Sequence, residues 1–367
     1  MNELRIMKRP ETEILERALF EVKKVLVGQD RMTERLFVCL LARGHCLLEG
    51  APGLAKTLAA ETLARTVGGG FARLQFTPDL VPADIVGTRI YKASSESFEI
   101  ELGPIFANIV LADEINRAPA KVQSALLEVM AERHVSIGGT TFPVPQPFMV
   151  MATQNPIESE GVYPLPEAQR DRFLMKVIVD YPSAREEAEI VRRMSVSPPV
   201  AQTVLSEEEL VGLQQAADAV FIHDAVVDYA VRLVLATRSP AAVAAHAAPV
   251  GGTPPVPPGH GLGDLAGLIS HGASPRATLG LVAASRALAL LRGRDFVLPQ
   301  DVYDVAPDVL RHRVLLSYEA IADGVTAEHI VNRVVGTVLA PRLAPSQDNA
   351  VAGDAGVSPG IFEERAS

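Results

Sequence analysis

The chain has 367 residues, of which 48% are hydrophobic and 21% charged, so it can bury a full core and is long enough for about two domains. Its net charge of −10 argues against broad attachment to nucleic acid or to an acidic membrane, although a small basic pore is compatible with it. No signal peptide opens the chain, and no apolar run approaches the roughly 20 residues that span a bilayer. We therefore expect a soluble, cytoplasmic protein.

Cysteine and histidine give no sign of a metal centre. Cys39 and Cys46 both lie in apolar runs, which indicates buried core residues and not a disulfide framework or a ligand pair. The eight histidines are scattered, with no pair at helical spacing. We expect neither residue type to bind a metal ion.

The first predicted elements lead to a glycine-rich turn. Helical periodicity covers 11–26 and 31–42, and an apolar run at 45–49 is typical of a buried strand. The turn Gly50-Ala-Pro-Gly-Leu-Ala-Lys-Thr57 follows, and 58–67 predicts a helix. A strand, a glycine-rich turn and a helix that opens with Lys-Thr form the phosphate-binding loop of P-loop nucleotidases. The plain alternative is a Gly/Pro turn that merely joins a strand to a helix.

Each part of this loop has a predicted role in nucleotide binding. The glycines let several backbone N–H groups point at one anion, Lys56 is expected to reach the outer phosphates, and the Thr57 hydroxyl to hold Mg²⁺. Ala55 stands where the general motif has glycine, and we expect helical φ/ψ angles there and not left-handed ones. The candidate nucleotide-binding residues in this stretch are Gly50, Ala51, Pro52, Gly53, Leu54, Ala55, Lys56, Thr57 and Leu58.

A second strand and an insertion follow the P-loop helix. The run 71–76 predicts a strand, and its partial alternation of apolar and polar residues favours an interior position in a sheet. Between 77 and 104, prolines and glycines break the pattern repeatedly. This composition predicts an insertion carried on a helix and not a continuous strand.

Two carboxylates end the next apolar run, at 109–114. In open α/β sheets, ligands bind at the carboxyl ends of the strands, where Asp113 and Glu114 are expected to lie. We expect Asp113 to hold the hydration shell of Mg²⁺, and Glu114 to orient and deprotonate the water that attacks the terminal phosphate. A strand that simply runs into a solvated loop is the alternative.

Three further segments complete the predicted core. A helix is expected from Pro119 to about 133, and 135–147, with two central glycines, predicts a β-hairpin. Strands are predicted at 148–152 and 173–179. Asn155 follows the first of these strands, so its amide is a candidate for positioning the attacking water. An asparagine that starts a turn before Pro156 is the competing interpretation.

The remaining chain predicts helices. Capping boxes open helices at Ser183 and Ser206, and Asp224 is expected to cap a third that ends at 238. Ser274 caps a fourth with Arg276 in its first turn, where the side chain can face a phosphate. Further helices follow Pro299 and cover 327–339, with no competing strand signal. The segments 239–264 and 343–367 predict a disordered loop and tail; partner binding, through a proline-rich site in the loop, is the alternative for each.

Taken together, these segments resemble the AAA+ ATPases, and specifically the MoxR family, over about residues 10–340. The residues that carry the resemblance are Val27-Gly28-Gln29, the P-loop, ADEINRA at 112–118, ATQNP at 152–156, YPLPEAQ at 163–169 and GASPRA at 272–277. Ala55 is usual in that family.

The resemblance implies a domain organisation. It implies an α/β nucleoside triphosphatase core at 1–182, with a five-stranded parallel sheet between helices, followed by an all-α lid at 183–342. Residues 87–103 correspond to the family's helix-2 insert and 134–148 to its pre-sensor hairpin, both of which project toward a central pore.

The resemblance also implies roles for residues that the local pattern alone does not assign. Val27, Gly28 and Gln29 would lie beside the adenine, and Asn155 would be sensor 1. Arg172 would be the arginine finger that enters the neighbouring subunit's site, with Arg170 as the less favoured candidate, and Arg276 would be sensor 2. A finger can contribute roughly 10³–10⁵ in rate, which is the physical reason to expect a ring of identical subunits, a hexamer in this family. ATP and Mg²⁺ are the implied cofactors.

Three functions remain open from the sequence. MoxR relatives are linked to proteins with von Willebrand factor A domains and act as chaperone-like machines, so an ATP-driven remodeller of client proteins is the leading hypothesis. A nucleic-acid motor is the second, but the hairpin at 135–148 contains no Lys or Arg, and the insert has Arg89 and Lys92 against three glutamates. The third is a nucleotide-gated scaffold with little turnover, against which the intact set of candidate catalytic residues argues.

Overall fold

The computed structural model describes residues 10–94, 96–156, 161–240, 243 and 262–341. Helices α1 and α2 precede the first strand of an α/β unit, and two β-hairpins are inserted between its later elements. The elements up to the last strand of this unit are α1 (Pro10–Val25), α2 (Asp30–Leu41), β1 (Cys46–Glu49), α3 (Lys56–Thr66), β2 (Phe71–Gln75), α4 (Pro82–Val86), β3 (Gly87–Lys92), β4 (Ser97–Leu102), β5 (Ile109–Asp113), α5 (Ala120–Glu132), β6 (His134–Ile137), β7 (Thr140–Pro143), β8 (Met149–Gln154), α6 (Glu167–Arg170) and β9 (Met175–Ile178).

A five-stranded parallel sheet forms the centre of this unit, as predicted. The strand order is β2-β5-β8-β1-β9, and every neighbouring pair is parallel. Strands β5 and β8 are almost entirely buried, which is typical of parallel strands covered by helices on both faces. All five strands run in one direction, so their carboxyl ends meet at one edge of the sheet.

The predicted interior position of the 71–76 strand is wrong, because β2 lies at one edge of the sheet. In β2 only Leu74 is buried, whereas Arg73 and Gln75 are exposed. The partial alternation therefore reflects a half-solvated edge strand. Its polar residues have partners at the end of β5, as described below.

The insert at 77–104 is mostly a β-hairpin. The predicted helix is present as α4, but β3 and β4 then pair in antiparallel register and occupy most of the segment. Gly87 has a φ of 99°, and a Cβ there would lie 2.2 Å from the carbonyl oxygen of Glu101, so only glycine fits this corner. The second predicted hairpin is confirmed as β6–β7, with its turn at Gly138-Gly139.

The following part of the chain is mainly helical, with capping boxes at Ser183 and Ser206 as predicted. The prediction of no strand is wrong, because β10 and β11 pair as a small antiparallel sheet. The helix expected to be capped by Asp224 has His223 as its N-cap, whose Nδ1 accepts from the Ala225 N–H. The elements are α7 (Ala184–Met194), α8 (Glu207–Asp218), α9 (Asp224–Arg238), β10 (Ile269–His271), α10 (Pro275–Leu291), α11 (Pro299–Leu310), β11 (Leu315–Leu316), α12 (Tyr318–Ala322) and α13 (Ala327–Thr337).

The N-terminal helices pack against both parts of the chain. One hydrophobic cluster contains residues of α1, α2, the sheet and the helices of the second half. A buried ion pair joins α2 to α11, with Arg35 Nε 2.7 Å from Asp308 Oδ2. Because the core is continuous, the expected division into domains at residue 182 stays a prediction.

Several composition-based predictions can also be compared with the fold. Cys39 and Cys46 are fully buried, as expected. Among the described residues, no helix is long and apolar enough to cross a membrane, and no cluster of His, Cys, Asp and Glu forms a metal site. The predicted disordered tail at 343–367 and most of the predicted loop at 239–264 lie outside the described residues.

Candidate active site

The P-loop connects β1 to α3 at the carboxyl edge of the sheet. Its first residue donates a backbone hydrogen bond to the neighbouring strand, from Gly50 N to Gln154 O at 3.3 Å. A Cβ at Gly50 would lie 2.6 Å from the carbonyl oxygen of Val179, so the loop passes too close to the end of β9 for a side chain. Gly53 has a φ of 82°, which glycine adopts without strain. Glycine is therefore favoured at these two positions for different reasons, a close backbone approach at Gly50 and a left-handed backbone at Gly53.

The expected helical backbone at Ala55 is wrong. Ala55 is the N-cap of α3 and has φ 59° and ψ 22°, in the left-handed region. Left-handed angles cost an L-residue about 1–2 kcal/mol because its Cβ crowds the following carbonyl oxygen. The loop has to turn sharply just before Lys56 begins α3, and alanine adopts the angle that glycine has in the general motif.

Lys56 lies between the loop and the two candidate carboxylates. Its Nζ donates to the carbonyl oxygen of Gly50 at 2.6 Å. Burial lowers the pKa of Lys56, and the negative charges of Asp113, Glu114 and Glu49 oppose that shift. The structure thus brings the predicted phosphate-binding lysine and both predicted carboxylates into one electrostatic site.

Asp113 is fixed by two neighbouring strands. Thr153 of β8 donates its hydroxyl to Asp113 Oδ1 at 2.7 Å, and Arg73 of β2 donates to Oδ2 from Nη2 at 2.7 Å and from Nε at 3.2 Å. Sequence reasoning missed both partners. The signal was available, because polar residues stand in two strands that flank the aspartate strand.

Glu114 also has a constrained backbone and two side-chain partners. Its φ of 55° is left-handed, and its N–H donates to Thr153 Oγ1 at 2.8 Å. Its Oε2 lies 2.8 Å from Arg117 Nε and accepts from Gln75 Nε2 at 3.3 Å. The carboxylate is therefore held at the edge of the sheet, next to Asp113.

The donor set of this edge fits a magnesium ion. Asp113 supplies a carboxylate and Thr57, in the first turn of α3, a hydroxyl; a bound triphosphate would add further oxygen ligands. Mg²⁺ binds in this manner, through one or two protein oxygens, substrate phosphates and water. The described residues include no soft-ligand cluster that would favour another metal.

Asn155 and the segment Val27-Gly28-Gln29 are the remaining predicted residues near this edge. Asn155 is buried and directly follows β8, so it lies two residues beyond Thr153. Gln29 Nε2 donates to the carbonyl oxygen of Asp180 at 3.1 Å, beyond the carboxyl end of β9. A Cβ at Gly28 would lie 2.8 Å from the carboxyl carbon of Glu186 on α7. The segment is therefore packed between the sheet edge and α7.

The candidate arginines Arg170 and Arg172 lie at the opposite, amino edge of the sheet. Arg172 precedes β9, and the N–H of Leu174 donates to His45 O, just before β1. From His45 to Gly50 the chain rises about 16 Å along β1, at about 3.3 Å per residue. This distance exceeds the length of an arginine side chain. The guanidinium of Arg172 donates to the carbonyl oxygen of Leu127 at 3.2 Å. Arg170 Nε is buried without a hydrogen-bond partner.

Arg276 lies at the same amino edge. It follows Ser274, the N-cap of α10, as predicted, and its guanidinium is largely exposed. Its Nη1 is 3.6 Å from Asp171 Oδ2, one residue from Arg172. Arg276 therefore contacts the residue that precedes the predicted finger in the chain, at the edge of the sheet opposite the P-loop of its own chain.

Comparisons with known proteins identify the family of the chain. Residues 45–175 match the model of the ATPase family associated with various cellular activities (AAA), and residues 266–334 match that of the AAA lid domain. The chain is 59% identical to Chaperone MoxR1 of Mycobacterium tuberculosis over 93% of this chain and 86% of the relative. It is 33% identical to Protein MoxR of Methylorubrum extorquens, over 88% of this chain and 93% of that protein.

A solved structure shows the same fold. The crystal structure of a candidate ATPase from Cytophaga hutchinsonii has a TM-score of 0.81 and 43% sequence identity, covering 90% of this chain and 96% of that chain. The family models, the two relatives and the parallel sheet with its P-loop lead to one conclusion. The chain belongs to the MoxR family of AAA+ ATPases.

Proposed function

We propose that this chain hydrolyses ATP in a ring of identical subunits and uses the energy to remodel client proteins. The single observation that carries the proposal is the separation of the charged groups between two edges of one sheet. Lys56, Asp113 and Glu114 share the carboxyl edge, whereas Arg172 and Arg276 share the amino edge. A complete site then needs two subunits.

The residues at the carboxyl edge bind ATP and activate the attacking water. The P-loop backbone and Lys56 hold the phosphates, and Thr57 and Asp113 hold Mg²⁺, which would neutralise charge on the β- and γ-phosphates. Val27, Gly28 and Gln29 are the candidate adenine contacts. Asn155 positions the attacking water, and Glu114 takes its proton as the oxygen bonds to the terminal phosphorus and ADP leaves.

The amino edge supplies positive charge to the next subunit. Arg172 is the candidate finger, and Arg276, because it lies beside it, acts on the same neighbouring nucleotide. An arginine supplied in trans stabilises the charge that spreads over the transferred phosphoryl group. This arrangement predicts that an isolated subunit hydrolyses ATP slowly. We expect the ring to be a hexamer, as in the family, and to act in the cytoplasm, where ATP is available.

The electrostatics of the hairpins favour a protein client over nucleic acid. Arg89 stacks on the ring of Phe98 with 4.4 Å between the guanidinium carbon and the ring centroid, and Lys92 pairs with Glu99. The basic groups of the insert are therefore engaged within the hairpin, and the β6–β7 hairpin has no Lys or Arg. The name of the relative MoxR1, a chaperone, supports the same choice. We retain a protein with a von Willebrand factor A domain as the expected partner class.

Mixing two inactive variants tests the shared site. K56A lacks phosphate binding but keeps its arginines, and R172A lacks the finger but keeps its P-loop. We expect ATPase activity, measured as phosphate release, to reappear when the two are mixed. Absence of recovery from two folded, ring-forming variants would contradict hydrolysis at shared interfaces.

Two further measurements separate the alternatives. We expect single-stranded DNA to leave the rate of the wild-type protein unchanged; strong stimulation would favour a nucleic-acid motor. Measurable basal turnover would reject a nucleotide-gated scaffold. Affinity capture with E114Q, which is expected to keep ATP bound, would identify the client.

A further inference from the structure

The segment that carries the candidate finger is bound to the second half of the chain. We call residues 170–174 the finger segment. Three of its backbone carbonyls accept hydrogen bonds from residues that follow α11. Arg313 donates to Asp171 O at 3.2 Å, to Phe173 O at 2.6 Å and to Leu174 O at 3.1 Å. His312 Nε2 adds a contact to Phe173 O at 3.0 Å.

Asp171 extends this attachment to the start of α10. Its Oδ1 pairs with Arg313 Nε at 2.7 Å, and its Oδ2 accepts from Ser274 Oγ at 3.0 Å. Arg276 Nη1 is 3.6 Å from the same Oδ2. One carboxylate thus contacts the N-cap of α10, the exposed arginine in its first turn and the buried arginine after α11.

The burial of Arg313 makes the loss of any of these contacts costly for the folded state. Arg313 is buried, and its charge is compensated by the Asp171 carboxylate and by the carbonyl oxygens that surround it. Removing one partner of a buried pair is strongly destabilising because an uncompensated charge remains. The finger segment therefore cannot move away from α10 and α11 without a large loss.

We infer that Asp171 and Arg313 are positioning residues that couple the finger segment to the lid. The lid is here α10, α11 and the residues that directly follow α11. A change in the lid of one subunit would then shift both Arg172 and Arg276 relative to the neighbour's nucleotide. The inference rests on the proposed function, because it requires that these arginines act in trans. It adds a physical link between the lid and the neighbouring site.

The variant D171N tests the link. Asparagine keeps an oxygen acceptor for Ser274 but loses the charge that compensates Arg313 and Arg276. We expect ATP affinity to stay within the wild-type range, because the P-loop is untouched, and turnover to fall about 10²-fold, the size of effect that a small misplacement of catalytic groups produces. Mixing D171N with K56A should restore turnover at interfaces that combine an intact P-loop with an intact finger segment.

V226A is the control for lost stability. Val226 is buried in α9, outside the lid and outside the candidate site, so the change removes core packing without touching the contacts of the finger segment. At a temperature where D171N and V226A are both folded by circular dichroism, V226A should keep wild-type turnover. R313K, which keeps the charge but not the guanidinium fork, should behave like D171N.

The outcomes separate this inference from the proposed function. Recovery in the mixture of R172A and K56A, but none in that of D171N and K56A, would overturn the positioning role and leave the shared site intact. Equal loss of turnover in V226A and D171N would also overturn it, because general destabilisation would then be the cause. If R172A and K56A fail to recover, the shared site itself is wrong.

Discussion

At the carboxyl edge of the central sheet, the charged side chains are partly exposed and the backbone is left-handed at Ala55 and Glu114, whereas at the amino edge His312 and Arg313 are buried among backbone carbonyl oxygens. The first edge keeps its polar groups within reach of a ligand and accepts backbone strain. Strain of this kind costs about 1–3 kcal/mol per residue and persists where the surrounding structure over-determines it. The second edge holds His312 and Arg313 by hydrogen bonds to backbone carbonyl oxygens.

This difference fits different roles for the two edges in nucleotide binding and in turnover. A site that binds and releases nucleotide needs groups that can exchange partners, as Lys56 would if its Nζ exchanged the carbonyl oxygen of Gly50 for a phosphate. A site that delivers an arginine across an interface needs a rigid support, because small errors in placement cost rate. Changes at the two edges should therefore have different effects on binding and turnover.

The largest expected effect comes from the amino edge. R172A should lower kcat about 10³–10⁵-fold, the contribution of a finger arginine, while ATP binding measured with a fluorescent analogue is unchanged. R185A, which removes an exposed arginine from α7, is the control and should keep wild-type turnover. Weakened ATP binding in R172A would show that the two edges are not separate in function.

E114Q probes the carboxyl edge. Glutamine keeps the shape and accepts hydrogen bonds but cannot take a proton from water, so kcat should fall about 10²–10⁴-fold while ATP stays bound and the ring is stabilised. E61Q, on the exposed face of α3, is the matched control. Wild-type turnover in E114Q would remove Glu114 as the base.

The sequence predicted the parts of the fold that depend on strong local patterns. Buried apolar runs predicted the strands, and capping boxes located α7 and α8. The prediction from sequence failed where a local and a tertiary cause produce the same pattern of apolar and polar residues. An edge strand and an interior strand can both alternate incompletely, so β2 was misplaced. The β10–β11 pairs are too short to leave a periodic signal.

The candidate site divides in the same way. Lys56, Asp113 and Glu114 could be predicted because motif spacing marks them, and the structure brings them together. Thr153 and Arg73 were missed because their role depends on which strands are neighbours, which the strand order sets. The left-handed angle at Ala55 was missed because composition favours glycine at such positions.

The pH dependence of stability tests the buried character of the amino edge. His45 donates from Nε2 to Met130 O and accepts at Nδ1 from Val150 N, and burial, with the charge of Arg133, lowers the pKa of His45 to about 3. The unfolded chain therefore binds the proton first. This contribution is complete above pH 6.5 and is lost as the pH falls toward 3, by about 1.4 kcal/mol per pH unit.

Chemical denaturation between pH 7 and 5 measures this slope. H45N keeps an acceptor for Val150 N but has no ring to protonate, so its free energy of unfolding should depend less steeply on pH than that of the wild type. H134N, at an exposed position of β6, should keep the wild-type slope. An unchanged slope in H45N would contradict the buried, neutral imidazole.

The smallest expected effect tests the strain at the carboxyl edge. A55G removes a Cβ from a left-handed residue, which relieves about 1–2 kcal/mol, and adds freedom to the unfolded chain, which costs about 0.4–1 kcal/mol. We therefore expect A55G to raise the free energy of unfolding by up to about 1.6 kcal/mol. A60G, at a buried helical position in α3, should lower it by about 1 kcal/mol, because there glycine has only its entropic cost and a lost methyl contact. Opposite signs in matched denaturation curves would establish that the P-loop backbone of the free protein is strained before nucleotide binds, whereas equal losses would place Ala55 in a relaxed conformation.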